Sequence, residues 1–355
     1  MDTPATSSYQ RIDSGVLQFV TPEEAPGWDD YVRAHDKGTI FHTAGMHKVI
    51  QATPKNYPWS LAAVNSDGEI VAIVCAVRVE TVGSIASRFA SRSVWYAEPL
   101  CDETEEGSRA LEMLIKAHDK AMRGRVLFTE IRAINRQADE HQALTNQGYE
   151  FRDYLNYIVQ LQGTADLKEQ LSKSTRKAIR KCAKRGVEIQ VTTTHESIDQ
   201  MYELVAFSYD RSSIPLVDVQ MFHAALDILG RDVVEVRLAH LDDQVVAGGI
   251  TLKFKDRVFA WYGGALRIRG MGLFAALTWD EIEAGQKEGY QYYDFGGAGW
   301  PDEEYGPRDF KSKFGGDLVC YGRYQKIDSA WKLKAAKCAF NTLKKAKSLL
   351  RKDGN

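Results

Sequence analysis

The chain has 355 residues, two to three times the length of a typical domain of ~100–200 residues, so two domains are expected. Apolar residues make up 44% and charged residues 26%, which excludes a disordered, collagenous or fibrous chain. The formal net charge is only −2, but residues 165–187 and 326–352 hold 17 of the 46 basic and 3 of the 48 acidic residues. Such basic segments either face an anion, such as nucleic acid, phosphate or a membrane surface, or form solvated helix faces.

The sequence gives no signal for membrane insertion, export or metal binding. No apolar run approaches the ~18 residues of a membrane-spanning helix, and the N-terminus lacks the features of a signal peptide. We therefore expect no transmembrane segment and a cytoplasmic location. Five cysteines lie far apart without a C-x-x-C pair, and His42 and His47 do not share a helix face well, so neither a disulfide framework nor a metal site is predicted.

The first half of the chain begins with a predicted hairpin. Apolar, β-branched runs at 59–64 and 70–79 flank Asn65-Ser66-Asp67-Gly68, whose Asp-Gly pair suits a tight turn. After the hairpin, the pattern predicts a strand, a helix with apolar residues near helical spacing, and two further strands. These elements are placed at residues 93–96, 105–122, 126–131 and 157–161.

The second half of the chain repeats this order of elements. The pattern predicts a strand, two helices, a hairpin, a strand, a helix and a final strand. These elements are placed at residues 188–191, 197–210, 219–229, 234–253, 257–262, 272–288 and 290–295. Because hairpin, strand, helix and strand follow one another in both halves, we predict two copies of one α/β unit.

Both basic segments are predicted to be helices. In the first, Ser172 offers an N-cap and Gly186 a left-handed end, and four cations between them share one face. These cations are Lys177, Arg180, Lys181 and Lys184. The second helix, residues 326–355, carries a less polar stripe and many lysines, which could hold RNA or lipid phosphates.

A glycine-containing turn between a strand and a helix is a candidate phosphate site. Arg267, Arg269, Gly270 and Gly272 form the pattern R-x-x-G-x-G directly before the predicted helix. Free backbone N–H groups at such a helix N-terminus can bind phosphate. The spacing matches the pyrophosphate loop of GNAT acyl-CoA transferases, so we predict a loop that binds donor phosphate or pantetheine.

A cationic segment follows the last predicted strand. Arg308, Lys311 and Lys313, with Phe310 among them, gather near paired glycines. Here Lys311 could stabilise an oxyanion or a phosphate, and Phe310 could stack on a base. Asp294 is a candidate general base, although a buried hydrogen-bond acceptor is the favoured interpretation. No nucleophile elbow, H-E-x-x-H motif or Walker loop is present, which favours chemistry without a covalent intermediate or a metal.

Several motifs together carry a family resemblance. They are Tyr262-Gly263-Gly264, Tyr292-Tyr293-Asp294-Phe295-Gly296-Gly297, Phe310-Lys311-x-x-Phe314-Gly315-Gly316, the basic run 174–181 and Tyr209-Asp210-Arg211. With these motifs the chain resembles the FemABX family of non-ribosomal aminoacyltransferases over roughly residues 38–324. The long coiled-coil insertion of some members is absent, and the R-x-x-G-x-G loop is usually degenerate in the second domain of that family.

The resemblance implies an α/β (α+β) fold of two tandem GNAT-like domains, each a mixed, mostly antiparallel sheet flanked by helices. We place an acceptor-binding domain at 1–164, a donor-binding catalytic domain at 165–325 and a basic C-terminal helix at 326–355. The implied reaction moves an amino acid from aminoacyl-tRNA to an amine of a nucleotide- or lipid-linked peptidoglycan precursor. No tightly bound cofactor is expected, and the C-terminal helix is a candidate for contact with the inner face of the membrane.

The resemblance also implies roles for single residues. Lys311 acts on the aminoacyl ester and the RNA end, with Phe310 beside it, and Tyr262 matches a tyrosine of the cleft. The predicted substrate-binding cations are Lys48, Arg211, Arg308 and Lys313. Of these, Arg211 and Lys48 match family residues that contact precursor phosphate.

Two alternative functions stay open. An acyl-CoA-dependent N-acyltransferase of the same fold, acting on an amine of an envelope or small-molecule substrate, is favoured by the R-x-x-G-x-G loop. A non-catalytic RNA- or envelope-binding scaffold is the other alternative, because a fold alone does not fix a function.

Overall fold

Two β-sheets with helices packed on them form the described structure. The computed structural model describes residues 17–80, 91–135, 140–163, 166–212 and 216–328. Its strands are β1 (Gln18–Val20), β2 (Asn56–Val64), β3 (Ile70–Val79), β4 (Arg92–Trp95), β5 (Leu100–Cys101), β6 (Phe128–Arg132), β7 (Glu150–Arg152), β8 (Leu155–Gln160), β9 (Glu188–Val191), β10 (Val234–Leu241), β11 (Gln244–Phe254), β12 (Arg257–Ala265), β13 (Tyr292–Gly299), β14 (Asp317–Cys320) and β15 (Arg323–Ile327). Its helices are α1 (Trp28–Ala34), α2 (Ala44–Gln51), α3 (Glu105–Met122), α4 (Glu140–Asn146), α5 (Leu167–Gln170), α6 (Lys173–Lys184), α7 (His195–Ser212), α8 (Gln220–Leu229), α9 (Leu273–Lys287) and α10 (Gly306–Lys311).

The two sheets share one internal plan. The first has the strand order β1-β2-β3-β4-β6-β15-β7, with β5 paired to β3, and the second has the order β9-β10-β11-β12-β13-β8-β14. Each sheet contains one parallel pair, β4 with β6 and β12 with β13, among antiparallel pairings of the described strands. A helix lies between the two strands of each parallel pair in the chain, α3 in the first half and α9 in the second. This repeat confirms the predicted mixed, mostly antiparallel sheets of a tandem GNAT-like fold.

Each sheet takes one strand from across a predicted domain boundary. The sequence places β8 in the N-terminal domain, but β8 pairs with β13 and β14 of the second sheet. β15 then returns to the first sheet, where it pairs with β6 and β7. The sheets therefore divide the chain between β7 and β8 and again between β14 and β15. This division by sheets is not the same as the predicted domain boundaries at residues 164 and 325, which stay predictions.

The two halves of the chain pack on a common apolar core. This core includes Trp28 from the first half and Phe222 from the second, both of which are buried. Phe41 meets Phe259 edge-on across the same junction, with 5.2 Å between ring centroids. Burying one large apolar side chain contributes roughly 1.5–3 kcal/mol to stability. The shared core therefore holds the two sheets in one relative arrangement.

Several local predictions are confirmed by the structure. Helix α3 has the predicted bounds, and the β2–β3 hairpin turns at Gly68 with φ +82°. Helix α6 follows Ser172, whose hydroxyl oxygen accepts a hydrogen bond from the Thr175 backbone N–H. The helix predicted from residue 326 does not begin there, because β15 extends to Ile327, and residues 329–355 lie outside the described residues. No helix within the described ranges combines the length and apolar character that a membrane span requires.

A buried polar network lies between α9 and the second sheet. Glu281 of α9 is buried and accepts a hydrogen bond from the Tyr293 hydroxyl of β13. Arg237, also buried, acts on Glu281 electrostatically and pairs with Asp280 at 2.9 Å. Burial raises the pKa of Glu281 to about 7, although Tyr293 and Arg237 favour its ionised form. The folded protein therefore binds this proton more tightly than the unfolded chain does.

Replacing Glu281 with glutamine is expected to change how stability depends on pH. Because the folded pKa lies above the unfolded value of ~4.3, wild-type stability falls as pH rises from about 4.3 to about 7. The Glu281→Gln variant lacks this fall and keeps an acceptor for Tyr293. At pH 8 we expect the free energy of unfolding of the variant to exceed that of the wild type by roughly 1–3 kcal/mol. Urea unfolding at pH 5 and at pH 8 measures this difference. If the free energy of unfolding changed equally between pH 5 and pH 8 in both proteins, the raised pKa of Glu281 would be contradicted.

Candidate active site

The site lies where the parallel strands of the second sheet separate. β12 and β13 pair over three residues of each strand, and the last pair joins Phe259 with Asp294. Just beyond that pair, Lys311 donates hydrogen bonds from Nζ to the carbonyl oxygens of Phe295 and Gly297, each at 2.7 Å. The Lys311 ammonium therefore lies on the part of β13 that β12 no longer pairs.

The Lys311 ammonium is poorly solvated. Burial lowers its pKa to about 8, and the carboxylate of Asp294 opposes this shift. With a pKa of about 8, the group is still mostly protonated at neutral pH. An ammonium carries three N–H donors, and the described residues use two of them. The third is available to a substrate oxygen, as the stabilisation of an oxyanion requires.

Aromatic side chains form a wall next to Lys311. Phe310 stacks on Phe274 of α9, with ring centroids 5.3 Å apart and planes inclined by 25°. Phe314 meets the edge of Phe310 at 5.1 Å. Phe274 therefore covers one face of the Phe310 ring, and stacking of Phe310 on a nucleic-acid base stays a prediction.

Tyr262 lies at the junction of the two halves. Its ring packs against Tyr209 at 5.9 Å and against Phe222 at 5.0 Å. Burial raises the pKa of Tyr262 far above its usual range, with a further rise from Tyr96 of the first half. The hydroxyl therefore stays protonated and can donate a hydrogen bond, which is compatible with the predicted place of Tyr262 in a cleft.

Asp294 is a buried acceptor, as the favoured interpretation of the sequence has it. Its side chain is fully buried. Oδ2 accepts a hydrogen bond from Arg257 Nη1 at 2.7 Å, and Oδ1 accepts one from the Gly296 backbone N–H at 2.7 Å. Both oxygens are thus engaged in holding the glycine turn of β13, and the geometry does not support a role as general base.

The R-x-x-G-x-G loop ends at the N-terminus of α9. Gly270 has φ +75°, and Gly272 directly precedes the first residue of the helix. A Cβ atom at Gly270 would lie only 2.6 Å from Lys181 Nζ, so α6 places this ammonium against the loop. Arg267 and Arg269 are exposed in the same loop. The structure therefore brings three cations together where the sequence predicts donor phosphate binding.

The remaining predicted cations lie at separate points. Lys48 is exposed on α2, and Lys313 is exposed in the turn after α10. Arg308 donates to the carbonyl oxygens of Ala298 in β13 and of Trp300 and Pro301 just after it. Arg211 belongs to the last turn of α7, and its side chain lies outside the described residues. Substrate binding by these four residues stays a prediction.

Sequence reasoning missed three arginines beside the site. Arg132, Arg323 and Arg152 lie opposite one another on β6, β15 and β7 of the first sheet. Tyr154 connects them to the site. The guanidinium carbon of Arg323 lies 3.5 Å from the centroid of the Tyr154 ring, and a Cβ atom added at Gly297 would lie 2.7 Å from Cε1 of the same ring. The available signal was the charged alternation Glu130-x-Arg132 at the end of the strand predicted at residues 126–131.

Comparison with known proteins agrees with this geometry. A family model described as "Acetyltransferase (GNAT) domain" matches residues 170–312. This part of the chain is similar to a GNAT domain. The matched range includes the R-x-x-G-x-G loop, Tyr262 and Lys311, and the match confirms the prediction that the chain is a transferase. No curated protein matches the sequence.

Solved structures are similar in fold to most of the chain. The chain is similar to FemX, at 16% identity and TM-score 0.64, over 88% of this chain and 97% of that one. It is similar to L-PGS from Bacillus licheniformis, at 15% identity and TM-score 0.51, over 79% and 86%. A tandem GNAT protein from the clavulanic acid biosynthesis pathway matches at 11% identity and TM-score 0.53, over 88% and 99%. At these identities the similarity shows the fold alone, and it confirms the tandem GNAT-like arrangement.

Proposed function

We propose that the protein is an aminoacyltransferase of the FemABX type, which moves an amino acid from aminoacyl-tRNA to an amine of a nucleotide- or lipid-linked peptidoglycan precursor. The observation that carries this proposal is the Lys311 ammonium, which is desolvated and fixed by two carbonyl oxygens with one N–H to spare. The FemABX motifs and the similarity in fold to FemX and L-PGS support the choice of donor and acceptor. In this proposal the enzyme works in the cytoplasm, where its basic C-terminal segment touches the inner face of the membrane.

In the proposed mechanism the acceptor amine attacks the ester carbonyl carbon directly. A C–N bond forms while the carbonyl oxygen becomes negative and accepts a hydrogen bond from Lys311 Nζ. Collapse of this intermediate breaks the ester C–O bond and releases the ribose hydroxyl of the tRNA. The proton that the amine loses passes to the leaving oxygen, directly or through a carboxylate of the substrate. The protein contributes alignment of the two substrates and stabilisation of the negative charge.

An acyl-CoA donor is the second candidate, and the R-x-x-G-x-G loop favours it. The backbone N–H groups in the first turn of α9 have no partner within the helix, and with Lys181, Arg267 and Arg269 around them they suit a pyrophosphate group. Lys311 would then stabilise the oxyanion formed from a thioester, and CoA thiolate would be the leaving group. A scaffold without catalysis is the third candidate, and it predicts binding of a donor without product.

Donor binding and product formation distinguish these three candidates. We expect charged tRNA to raise the melting temperature of the full chain. This increase should fall steeply as salt is added, because salt weakens binding through phosphates. Mass spectrometry of precursors incubated with charged tRNAs should show the addition of one aminoacyl group. Stabilisation by acetyl-CoA and not by charged tRNA, together with acyl transfer from CoA, would replace the proposal by the second candidate. Binding of either donor without any product would favour a scaffold.

A further inference from the structure

Three arginines form a row across neighbouring strands of the first sheet. Arg323 of β15 lies directly opposite Arg132 of β6 on one side and Arg152 of β7 on the other. We call these three residues the arginine row. Neighbouring strands are ~4.8 Å apart, so the row extends across about 10 Å of the sheet. Residues that lie opposite one another in adjacent strands point to the same face, so the three guanidinium groups share one surface.

Each arginine of the row is supported by an aromatic ring. Arg132 lies over Tyr96 at 5.4 Å from the guanidinium carbon to the ring centroid. Arg323 lies over Tyr154 at 3.5 Å, and Arg152 lies over Trp300 at 4.5 Å. Such stacking fixes the planes of the guanidinium groups and leaves their N–H edges for hydrogen bonds. The row is therefore a preorganised set of donors.

Among the described residues, the carboxylate of Glu130 pairs with the row and compensates its charge only in part. Its Oε1 accepts a hydrogen bond from Arg132 Nε at 2.9 Å and pairs with Arg323 Nη1 at 3.0 Å. In the contacts of the described residues, the three positive charges of the row are set against this one negative charge and leave a net charge of about +2. Like charges opposite one another destabilise a sheet. Burial lowers the pKa of Arg323 despite Glu130, and Arg323 Nε is buried without a partner among the described residues. The row therefore carries positive charge that Glu130 does not balance.

The arginine row faces the junction between the halves, next to the candidate active site. Tyr154, under Arg323, packs against Gly297, whose carbonyl oxygen holds Lys311. Tyr262 and Arg132 lie close enough to influence each other's ionisation. An anionic group on the row would therefore place the rest of its molecule near the Lys311 ammonium.

We infer that the arginine row binds a doubly negative phosphate or diphosphate group of the acceptor substrate, a role for which the sequence indicated only Lys48 and Arg211. The charge of that group would balance the net charge of the row, and paired phosphate oxygens match the fork geometry of guanidinium groups. A nucleotide-linked and a lipid-linked acceptor both offer this chemistry. The inference rests on the proposed function only where it names the acceptor, because anion binding by the row can be measured without turnover.

Binding of inorganic pyrophosphate to the full chain tests the inference. We expect pyrophosphate to raise the melting temperature of the wild type. In calorimetric titrations, Arg132→Gln and Arg323→Gln should each weaken the affinity of the protein for pyrophosphate at least tenfold. Glu130→Gln should strengthen the affinity several-fold, because it removes the negative charge that competes with the ligand. Arg78→Gln is the matched control, since Arg78 also stacks on a tyrosine, Tyr57, and pairs with a glutamate, but lies outside the row.

The outcomes separate this site from other cationic surfaces. Loss of pyrophosphate binding in Lys181→Gln but not in Arg323→Gln would place the anion at the loop before α9 and overturn the inference. No binding, or weaker binding in Glu130→Gln, would also overturn it. Circular dichroism of each variant shows whether a loss of pyrophosphate affinity is caused by unfolding. The gain in affinity expected for Glu130→Gln can occur only in a folded protein. Tighter binding of UDP-N-acetylglucosamine than of vesicle-bound farnesyl diphosphate would indicate a nucleotide-linked acceptor, and the reverse a lipid-linked one. Pyrophosphate binding without acyl transfer would leave this site standing while the proposed function fails.

Discussion

Replacing Lys311 with methionine is expected to lower kcat for acyl transfer by ~10²–10³-fold, the usual cost of losing one donor to an oxyanion. Methionine keeps an unbranched side chain of similar bulk but has no N–H group. Because the hydrogen bond forms as negative charge develops, KM for donor and acceptor should change little. Steady-state kinetics of the wild type and the Lys311→Met variant, with the product measured by mass spectrometry, provide the check.

A matched control separates catalysis from the loss of any positive charge. Lys287 is exposed at the far end of α9, and Lys287→Met should leave the kinetics unchanged. Circular dichroism and urea unfolding should show that both variants are folded. A Lys311→Met enzyme with a kcat within about threefold of the wild type would contradict the role of Lys311 under any of the donors considered.

The pH dependence of the same two proteins gives an independent reading of Lys311. Its pKa of about 8 predicts that wild-type activity falls as pH rises through that value, since the neutral amine carries no charge for the oxyanion. Stability should change in the opposite direction. The folded pKa lies below the unfolded value of ~10.4, so the folded state binds this proton less tightly and gains stability from about pH 8 to about pH 10.4. Lys311→Met should lack both trends.

The local elements were predictable from the sequence because their signals are local. The apolar spacing of α3 and the Asp-Gly pair that ends at Gly68 each act within a few residues. The exchange of β8 and β15 between the sheets was not predictable, because periodicity identifies a strand without its partner. β8 is apolar enough for either sheet, and only its pairing with β13 shows which one it joins.

The candidate site was found in part, for a related reason. Lys311, Phe310 and Tyr262 belong to motifs that carry a family resemblance, so the sequence alone indicates them as site residues. Arg152 and Arg323 are single arginines in unremarkable sequence, and their meeting depends on the returning strand β15. Charge balance within a site can be judged only when the positions of the charges in the folded chain are known.

Replacing Asp294 with asparagine is expected to destabilise the protein by ~3–5 kcal/mol, the cost of breaking a buried ion pair on one side. The variant leaves the Arg257 guanidinium, which also donates to the Ile134 carbonyl oxygen of the first half, without its carboxylate. Urea unfolding measures the loss. Asp67→Asn is the control, since Asp67 is exposed in a turn that asparagine also suits. The double variant Asp294→Asn, Arg257→Met should lose less than the sum of its single variants, because no unpaired charge remains buried.

Asp294→Asn also tests whether the ion pair and the candidate active site are coupled. The carboxylate of Asp294 raises the pKa of Lys311 and opposes the effect of burial. Without that carboxylate the pKa of Lys311 falls further, so the fall in activity with rising pH should begin below pH 8. Any activity left at acidic pH then belongs to enzyme in which Lys311 is still protonated. A pH profile unchanged from the wild type, in a variant that is measurably less stable, would show that Asp294 supports the fold of β13 without adjusting the ammonium. A profile shifted to lower pH would show that one buried carboxylate does both, and that stability and acyl transfer depend on the same charge.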